Sequence, residues 1–340
     1  MTRRTRLFLF ASVTVLLIGL CTGLVAYYAG LPMGAFGRPE APTELAYVPS
    51  EAALVAYADV GKVMRSELRD RLRQAIPHKN EGQAQFERET GINIERDIDR
   101  VVGFLVPTEG DHKYEGMVIA SGRFDEPRLE RLARQHGGEI EEYKGKRLIS
   151  RRFERPHEWE GHEAERNVTV AFLSAGTIAV GDSERIKASI DRLGSRNVTQ
   201  NDELMDLIDE IDEGNAWAVG RFDALMSHAK LPEGVTSQIP PIRWFAASGE
   251  VNGGLTGMLR AEARDEQAGQ NLREVVQGFL ALARLQAGSK PEMQTLVSSL
   301  QISGTGKTVA LSFSVPAEVF QTLDPKVAPP APPAPPLPPQ

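Results

Sequence analysis

Residues Leu7 to Ala29, LFLFASVTVLLIGLCTGLVAYYA, form about 23 consecutive positions without a charge. A helix rising about 1.5 Å per residue spans a hydrocarbon core of about 30 Å with such a stretch. Arg3, Arg4 and Arg6 precede it, and only Arg38 follows before the chain turns acidic. The positive-inside rule therefore keeps residues 1–6 in the cytoplasm and delivers everything after Tyr28 outside. This predicts a single-pass protein of the inner (cytoplasmic) membrane with an extracytoplasmic C-terminal region in the cell envelope or periplasm. A cleaved signal peptide needs an apolar core of about 7–15 residues and a small-x-small site. The exit at Tyr27-Tyr28-Ala29 places a bulky side chain where a small one belongs. Cleavage at Cys21-Thr22-Gly23, which would release a secreted or periplasmic protein, ranks behind an uncleaved signal anchor. Lipidation of Cys21 ranks last, because Leu20 is large.

Composition sets further limits. The chain has 340 residues, 41% hydrophobic and 25% charged, the balance of a globular protein with a core. Its formal net charge is −7, or −10 once the three cytoplasmic arginines are set aside. That bias argues against nucleic acid, which demands a positive footprint. The one Cys lies inside the apolar run, so the exported part is predicted to hold together by packing, without disulfides.

Residues 30–49 carry Gly and Pro at short intervals and read as a linker. AALVAYADV, Ala52 to Val60, reads as a strand running into an amphipathic helix marked by Val63, Leu68, Leu72 and Ile76. A second helix is expected over Gln83 to Thr90, with Gly91 just past its end. VVGFLVP and GMVIASGRF read as a hairpin. Asp125 then caps a helix with Pro127 in its first turn, stopped by Gly137-Gly138. Strands around Glu139–Tyr143 and Arg147–Phe153 turn at Lys144-Gly145-Lys146, and VTVAFLSAGTIAVGD makes a second hairpin about Ser174 to Gly176. Helices are expected from Ser183 to Leu193 and from Asn201 or Asp202 to Gly214. The second carries Leu204, Leu207, Ile208 and Ile211 on one stripe.

Beyond Gly214 the order restarts. AWAVGRFDALM, Ala216 to Met226, repeats the strand-into-helix form of ALVAYADVGKVM. IRWFAASGEV and GLTGMLRAEARDE repeat the hairpin that runs into a capping Asp. The spacing is 24 residues from Val101 to Asp125 and 23 from Ile242 to Asp265. A long helix over Glu266–Leu285, a shorter one after Pro291 and a last hairpin complete the unit, and that hairpin reads as an echo of the strand pair around Lys144. The fold class predicted is α+β: an N-terminal transmembrane helix, then two related units of antiparallel sheet with helices packed on one face. The domains are a basic tip at 1–6, an anchor at 7–29, a linker at 30–49, units at 50–214 and 215–324, and a proline-rich extended tail at 325–340.

The anchor, the Pro-containing linker, the opening VPSEAALVAYADV and the duplicated hairpin-helix order together resemble exported, single-anchor bacterial proteins of unknown function. The resemblance runs from about Leu45 to Phe320 in order and texture. It implies a fold and names no substrate.

Candidate chemistry is sparse. SGTGKT, Ser303 to Thr308, imitates a phosphate-binding loop, but the required first Gly falls on Gln301 and a strand follows instead of a helix, so a hairpin turn is expected. HEWEGH puts His157 and His162 five apart, not the i, i+4 of a zinc-hydrolase helix, with Pro156 and Gly161 against a helix. A loop can still gather His157, His162 and Glu163 or Glu165, and the connection from Glu154 to Asn167 is long for a hairpin. The acidic helix fails as a calcium loop, since Ile211 and Gly220 fall on ligand positions. No G-x-S-x-G elbow or usable Cys is present, and His78, His112 and His136 fall in loops or at helix ends. Asn167-Val168-Thr169 and Asn197-Val198-Thr199 match a glycosylation sequon that matters only in a eukaryotic secretory route. Lys144, Lys146, Arg147, Arg151, Arg152 and Arg155 form the one basic patch, a solvated edge or a contact for anionic lipid.

The sequence therefore favours a non-catalytic binding or interaction ectodomain with no cofactor. It touches the bilayer through its N-terminal helix and an envelope protein, lipid or wall component through its domains. The alternatives are a metal-dependent hydrolase using the 154–167 loop, with His157, His162 and Glu163 as ligands, and a self-assembling structural protein.

Overall fold

The computed structural model describes residues 42–69, 81–108, 114–154, 165–211, 214–226, 240–288 and 291–316. The expected anchor at 7–29 and the proline tail lie outside the described residues. Among the described residues no helix is long and apolar enough to cross a membrane.

A 3₁₀ turn at Thr43–Tyr47 leads into β1 (Leu54–Ala58), whose Val55 and Tyr57 are buried in alternation. Asp59 caps α1 (Val60–Met64), its carboxylate accepting from the Lys62 amide at 2.8 Å. Next come α2 (Glu81–Thr90), α3 (Ile94–Asp97) and the hairpin β2 (Ile98–Pro107) and β3 (Tyr114–Gly122). Asp125 caps α4 (Glu126–Gln135), accepting from the Arg128 amide, with Pro127 in the first turn. Strands β4 (Glu139–Tyr143) and β5 (Lys146–Glu154) are joined by Lys144 and Gly145, with φ of 46° and 74°. Two successive left-handed residues match the twist of a tight hairpin, which is why Gly stands there. β6 (Glu165–Ser174), β7 (Thr177–Gly181), α5 (Ser183–Asp191) and α6 (Asp202–Ile211) follow. The Asn201 side chain accepts from the Leu204 amide and so starts α6. The remainder is β8 (Ala216–Arg221), α7 (Phe222–Met226), β9 (Ile242–Val251), β10 (Gly254–Ala263), α8 (Glu266–Ala287), α9 (Pro291–Ser299), β11 (Gln301–Ser303) and β12 (Thr308–Pro316).

These strands form one 12-stranded sheet in the order β11-β12-β10-β9-β8-β1-β2-β3-β7-β6-β5-β4. Every pairing is antiparallel. The fold is α+β. Strands from 50–214 and from 215–316 meet where β1 pairs with β8, so they belong to a single sheet. Tyr57 and Trp217 face each other across that seam, their rings stacked at 5.5 Å. Such a pair adds about 0.5–1.5 kcal/mol beyond the area it buries.

Helices cover both faces, not one. Val55, Tyr57, Val102, Phe104, Ile119 and Trp217 share one face and pack against Leu45, Val48, Ile186, Ile190, Leu204 and Ile208. Val101, Ala120, Ile149, Phe172 and Ile178 share the other and pack against Val60, Leu129 and Ala133 of α1 and α4. Ile242 and Val309 lie with Leu272 and Val276 of α8. A bulge explains why Ile242 and Trp244 fall in different clusters: the register moves from Trp244 opposite Glu262 to Ile242 opposite Ala263, skipping Arg243. One extra residue reverses the side on which the next side chain lies.

Two further departures from expectation stand out. From Pro42 onward the segment read as linker joins the core, with Leu45 and Val48 wholly buried. Buried Glu44 accepts from the Ser121 hydroxyl and from Arg100 at 3.2 Å, tying this segment to β2 and β3. Burying a carboxylate is tolerable only with such charge-assisted partners. The last hairpin also sits elsewhere than its sequence echo implied. β12 lies beside β10 as β7 lies beside β3, whereas β4 and β5 form the far edge. By placement it corresponds to the hairpin about Ser174 to Gly176.

Candidate functional site

A cleft of 530 Å³ opens where the ends of α2 and β3, the turn between β6 and β7, and the start of α4 converge. Pockets that hold small ligands run from about 300 to 1,000 Å³. Three glycines shape its floor. Gly91 ends α2 at φ 78°, and a Cβ there would lie 2.2 Å from Cζ of Arg128, whose guanidinium occupies that space. A Cβ on Gly122 would lie 2.0 Å from the Asp97 carbonyl oxygen, which accepts from the Arg123 amide at 2.7 Å. Gly176 has φ 76°, and its carbonyl accepts from the Gly122 amide at 2.8 Å. At each glycine the space a Cβ would need is taken by a neighbouring group: the Arg128 guanidinium, the Asp97 carbonyl and the Gly122 carbonyl.

The carboxylates of the cleft are engaged with the fold. Asp97, nearly buried, accepts from the Asn93 amide at 2.9 Å and from Arg96 at 3.0 Å and 3.1 Å. The Arg96 hydrogen bond, the Asn93 amide and the charges of Arg96 and Arg123 hold its carboxyl below the usual range, against the opposing push of burial. Asp125 caps α4 through the Arg128 amide at 3.0 Å. The guanidiniums are differently placed. Arg123 lies 3.7 Å from Asp97 and 3.8 Å from Asp99, beyond hydrogen-bond reach. The Arg128 guanidinium has no ion-pair partner among the described residues. Ile92 and half-buried Phe124 add an apolar wall.

The residues singled out from sequence are scattered. His157, His162 and Glu163 lie outside the described residues, as do His78 and His112. Glu154 pairs with Glu165, so the ends of the 155–164 connection are adjacent. His136 is exposed at the end of α4, with Nδ1 2.9 Å from the Leu132 carbonyl oxygen. SGTGKT is the turn between β11 and β12, with Gly304 at φ 93° and Gly306 at φ 56°. Arg273 of α8 donates to the Gly306 and Thr308 carbonyls at 3.3 Å each. This turn presents occupied acceptors, where a phosphate loop presents donors.

Two members of the basic patch are ion-paired within the fold. Lys144 pairs with Asp191 at 2.6 Å and Arg147 with Glu130. Asp191 also accepts from the Tyr143 hydroxyl at 2.9 Å, and Lys144 followed by Tyr143 hold its carboxyl below the usual range. The acidic helix α6 is likewise paired outward: Glu203 accepts from Trp244 Nε1 at 2.8 Å and meets Arg243 at 2.5 Å, and Glu210 meets Arg260. Among the described residues no group of three or more His, Cys, Asp or Glu is placed to hold a metal ion.

Sequence reasoning did not find the cleft. Its members come from residues 90–97, 122–128 and 176, and the local signals were Gly91 as a helix stop, Gly176 in a hairpin turn and Asp125 as a cap.

No family model and no curated protein matches the chain. The crystal structure of TP0453, crystal form I, is similar over 84% of this chain and 97% of that chain, at 14% identity and a TM-score of 0.46. A likeness this slight carries no functional argument.

Proposed function

We propose that the chain is a membrane-anchored envelope protein whose ectodomain binds a partner without chemistry of its own, and that the cleft floored by Gly91, Gly122 and Gly176 is where it binds. One observation carries the reading. Asp97 and Asp125 are committed to backbone amides and to Arg96, whereas Arg123 is ion-paired with Asp97 and Asp99 but out of hydrogen-bond reach of both, and Arg128 has no ion-pair partner among the described residues. General acid–base catalysis needs a titratable group within reach of the substrate and free to exchange a proton. These carboxylates instead hold the walls, and the cations are left to hold a ligand.

The anchoring part of the reading rests on the apolar run from Leu7 to Ala29 and the arginines before it. The duplicated units rest on strand order: β1, β2, β3 and β7 are neighbours in that sequence, as are β8, β9, β10 and β12. In this scheme the anchor fixes location and the sheet presents the cleft.

A reporter fused after Pro325 tests the topology. It is expected to be active only outside the cytoplasm, and cytoplasmic activity overturns the anchored reading. Elemental analysis of the purified chain tests the non-catalytic part. Stoichiometric zinc that disappears in His157→Ala and His162→Ala would replace it with the metal-dependent hydrolase, and light scattering that finds a large homo-oligomer would favour self-assembly.

A further inference from the structure

The reading above leaves the ligand of the cleft open, and resting on that reading we propose its class: a phosphate monoester, its phosphoryl group held between Arg123 and Arg128 and its organic portion lying along Ile92 and Phe124. The charge balance comes first. Asp97 is already compensated by Arg96, which is within hydrogen-bond distance of both its oxygens. Arg123 is ion-paired with Asp97 and Asp99 at 3.7 Å and 3.8 Å, too far for a hydrogen bond, so its N–H donors can turn to an incoming anion. Arg128 brings a second guanidinium, set over Gly91 in the space a side chain would fill. Each guanidinium offers a planar fork suited to two oxygens of one anion. A dianionic phosphate monoester matches two such forks better than a monoanionic carboxylate does.

The shape is consistent with that class. A volume of 530 Å³ far exceeds one phosphoryl group, leaving room for a small organic body. Gly91, which has no Cβ, lets the Arg128 guanidinium lie against the backbone, and Gly122 and Gly176 let the strand ends close on one another, so the two cations are set on a tightly packed wall. The partly exposed ring of Phe124 sits beside the cations, with buried Ile92 behind the wall.

Thermal unfolding of the full chain in neutral detergent supplies the test, with inorganic phosphate, glycerol 1-phosphate and acetate as probes at matched ionic strength. Glycerol 1-phosphate is expected to raise the midpoint at lower concentration than inorganic phosphate, and acetate at least tenfold less effectively. Arg123→Gln and Arg128→Gln are each expected to weaken the phosphate response at least tenfold, and Arg128→Lys to recover only part of it. Lys307→Gln, the same charge change at an exposed site elsewhere, is expected to leave it intact. Equal responses in all variants, acetate as effective as phosphate, or no response to any probe would overturn the proposal. Vesicles of phosphatidic acid against phosphatidylcholine then separate sources: recruitment that depends on both arginines points to a lipid headgroup, and its absence beside a soluble response points to a free phosphorylated molecule. If the reporter after Pro325 is extracytoplasmic while no probe binds, the ligand class fails and the anchored reading stands.

Discussion

At the scale of single residues, the cleft and its supports make predictions that differ in size for stated reasons. Gly122 and Gly137 are both glycines at the ends of elements, yet only Gly122 is enclosed, with the Asp97 carbonyl 2.0 Å from where a Cβ would be. Gly137 has φ 74° but nothing within 4 Å. Gly137→Ala is therefore expected to cost about 1 kcal/mol from the left-handed backbone alone. Gly122→Ala is expected to cost about 2–3 kcal/mol, because strand or loop backbone must shift. Urea titration of both variants checks the contrast. Asp97 gives the acid limb. Its folded pKa lies below the unfolded value, so its stabilisation is complete above the unfolded pKa and lost as pH falls through the folded one. Asp97→Asn is expected to lower stability at neutral pH and to flatten its decline below about pH 4. An unchanged acid limb would show that the Asn93 and Arg96 contacts do not persist in solution. Little of this was legible in sequence, since Asp97 looks like any acidic residue in IERDIDR until Asn93, Arg96 and Arg123 are brought round it.

At the scale of elements, local chemistry was far easier to read. Asp125, Asn201 and Asp265 were each expected to start a helix, and each accepts from the amide three residues on, at 3.0, 3.1 and 2.7 Å. Asp265→Ala is expected to destabilise by about 1 kcal/mol. The stripe of α6 was legible for the same reason: Leu204, Leu207, Ile208 and Ile211 recur at helical spacing and all four are buried. Ile208→Ala is expected to cost about 2–5 kcal/mol. Leu285→Ser on α8 is expected to change stability by less than about 0.5 kcal/mol, since Leu285 is 80% exposed. Which face a helix covers was not legible. The bulge at Arg243 switches sides within IRWFAAS with no Gly or Pro to mark it, and covering both faces needs alternate strand positions read together with their neighbours.

At the scale of the whole molecule, the strands of both expected units lie in one 12-stranded sheet. Strand order within each half follows from hairpins, which are local. The β1–β8 seam joins residues more than a hundred and fifty positions apart and left no sequence signature beyond two similar apolar runs. A continuous sheet whose central strands carry Tyr57 and Trp217 is expected to unfold in a single cooperative transition by fluorescence and circular dichroism alike. Two resolved transitions would mean that the halves are independent domains. The cleft lies at the Gly122 end of β3, two strands from β1 and its seam with β8. The most direct measurement is labelling of Arg128→Cys in intact cells with a membrane-impermeant maleimide. The native Cys21, in the apolar run from Leu7 to Ala29, gives the background from the parent chain. Labelling without permeabilising the inner membrane, well above the parent chain, is expected; labelling only after permeabilisation would contradict an extracytoplasmic cleft.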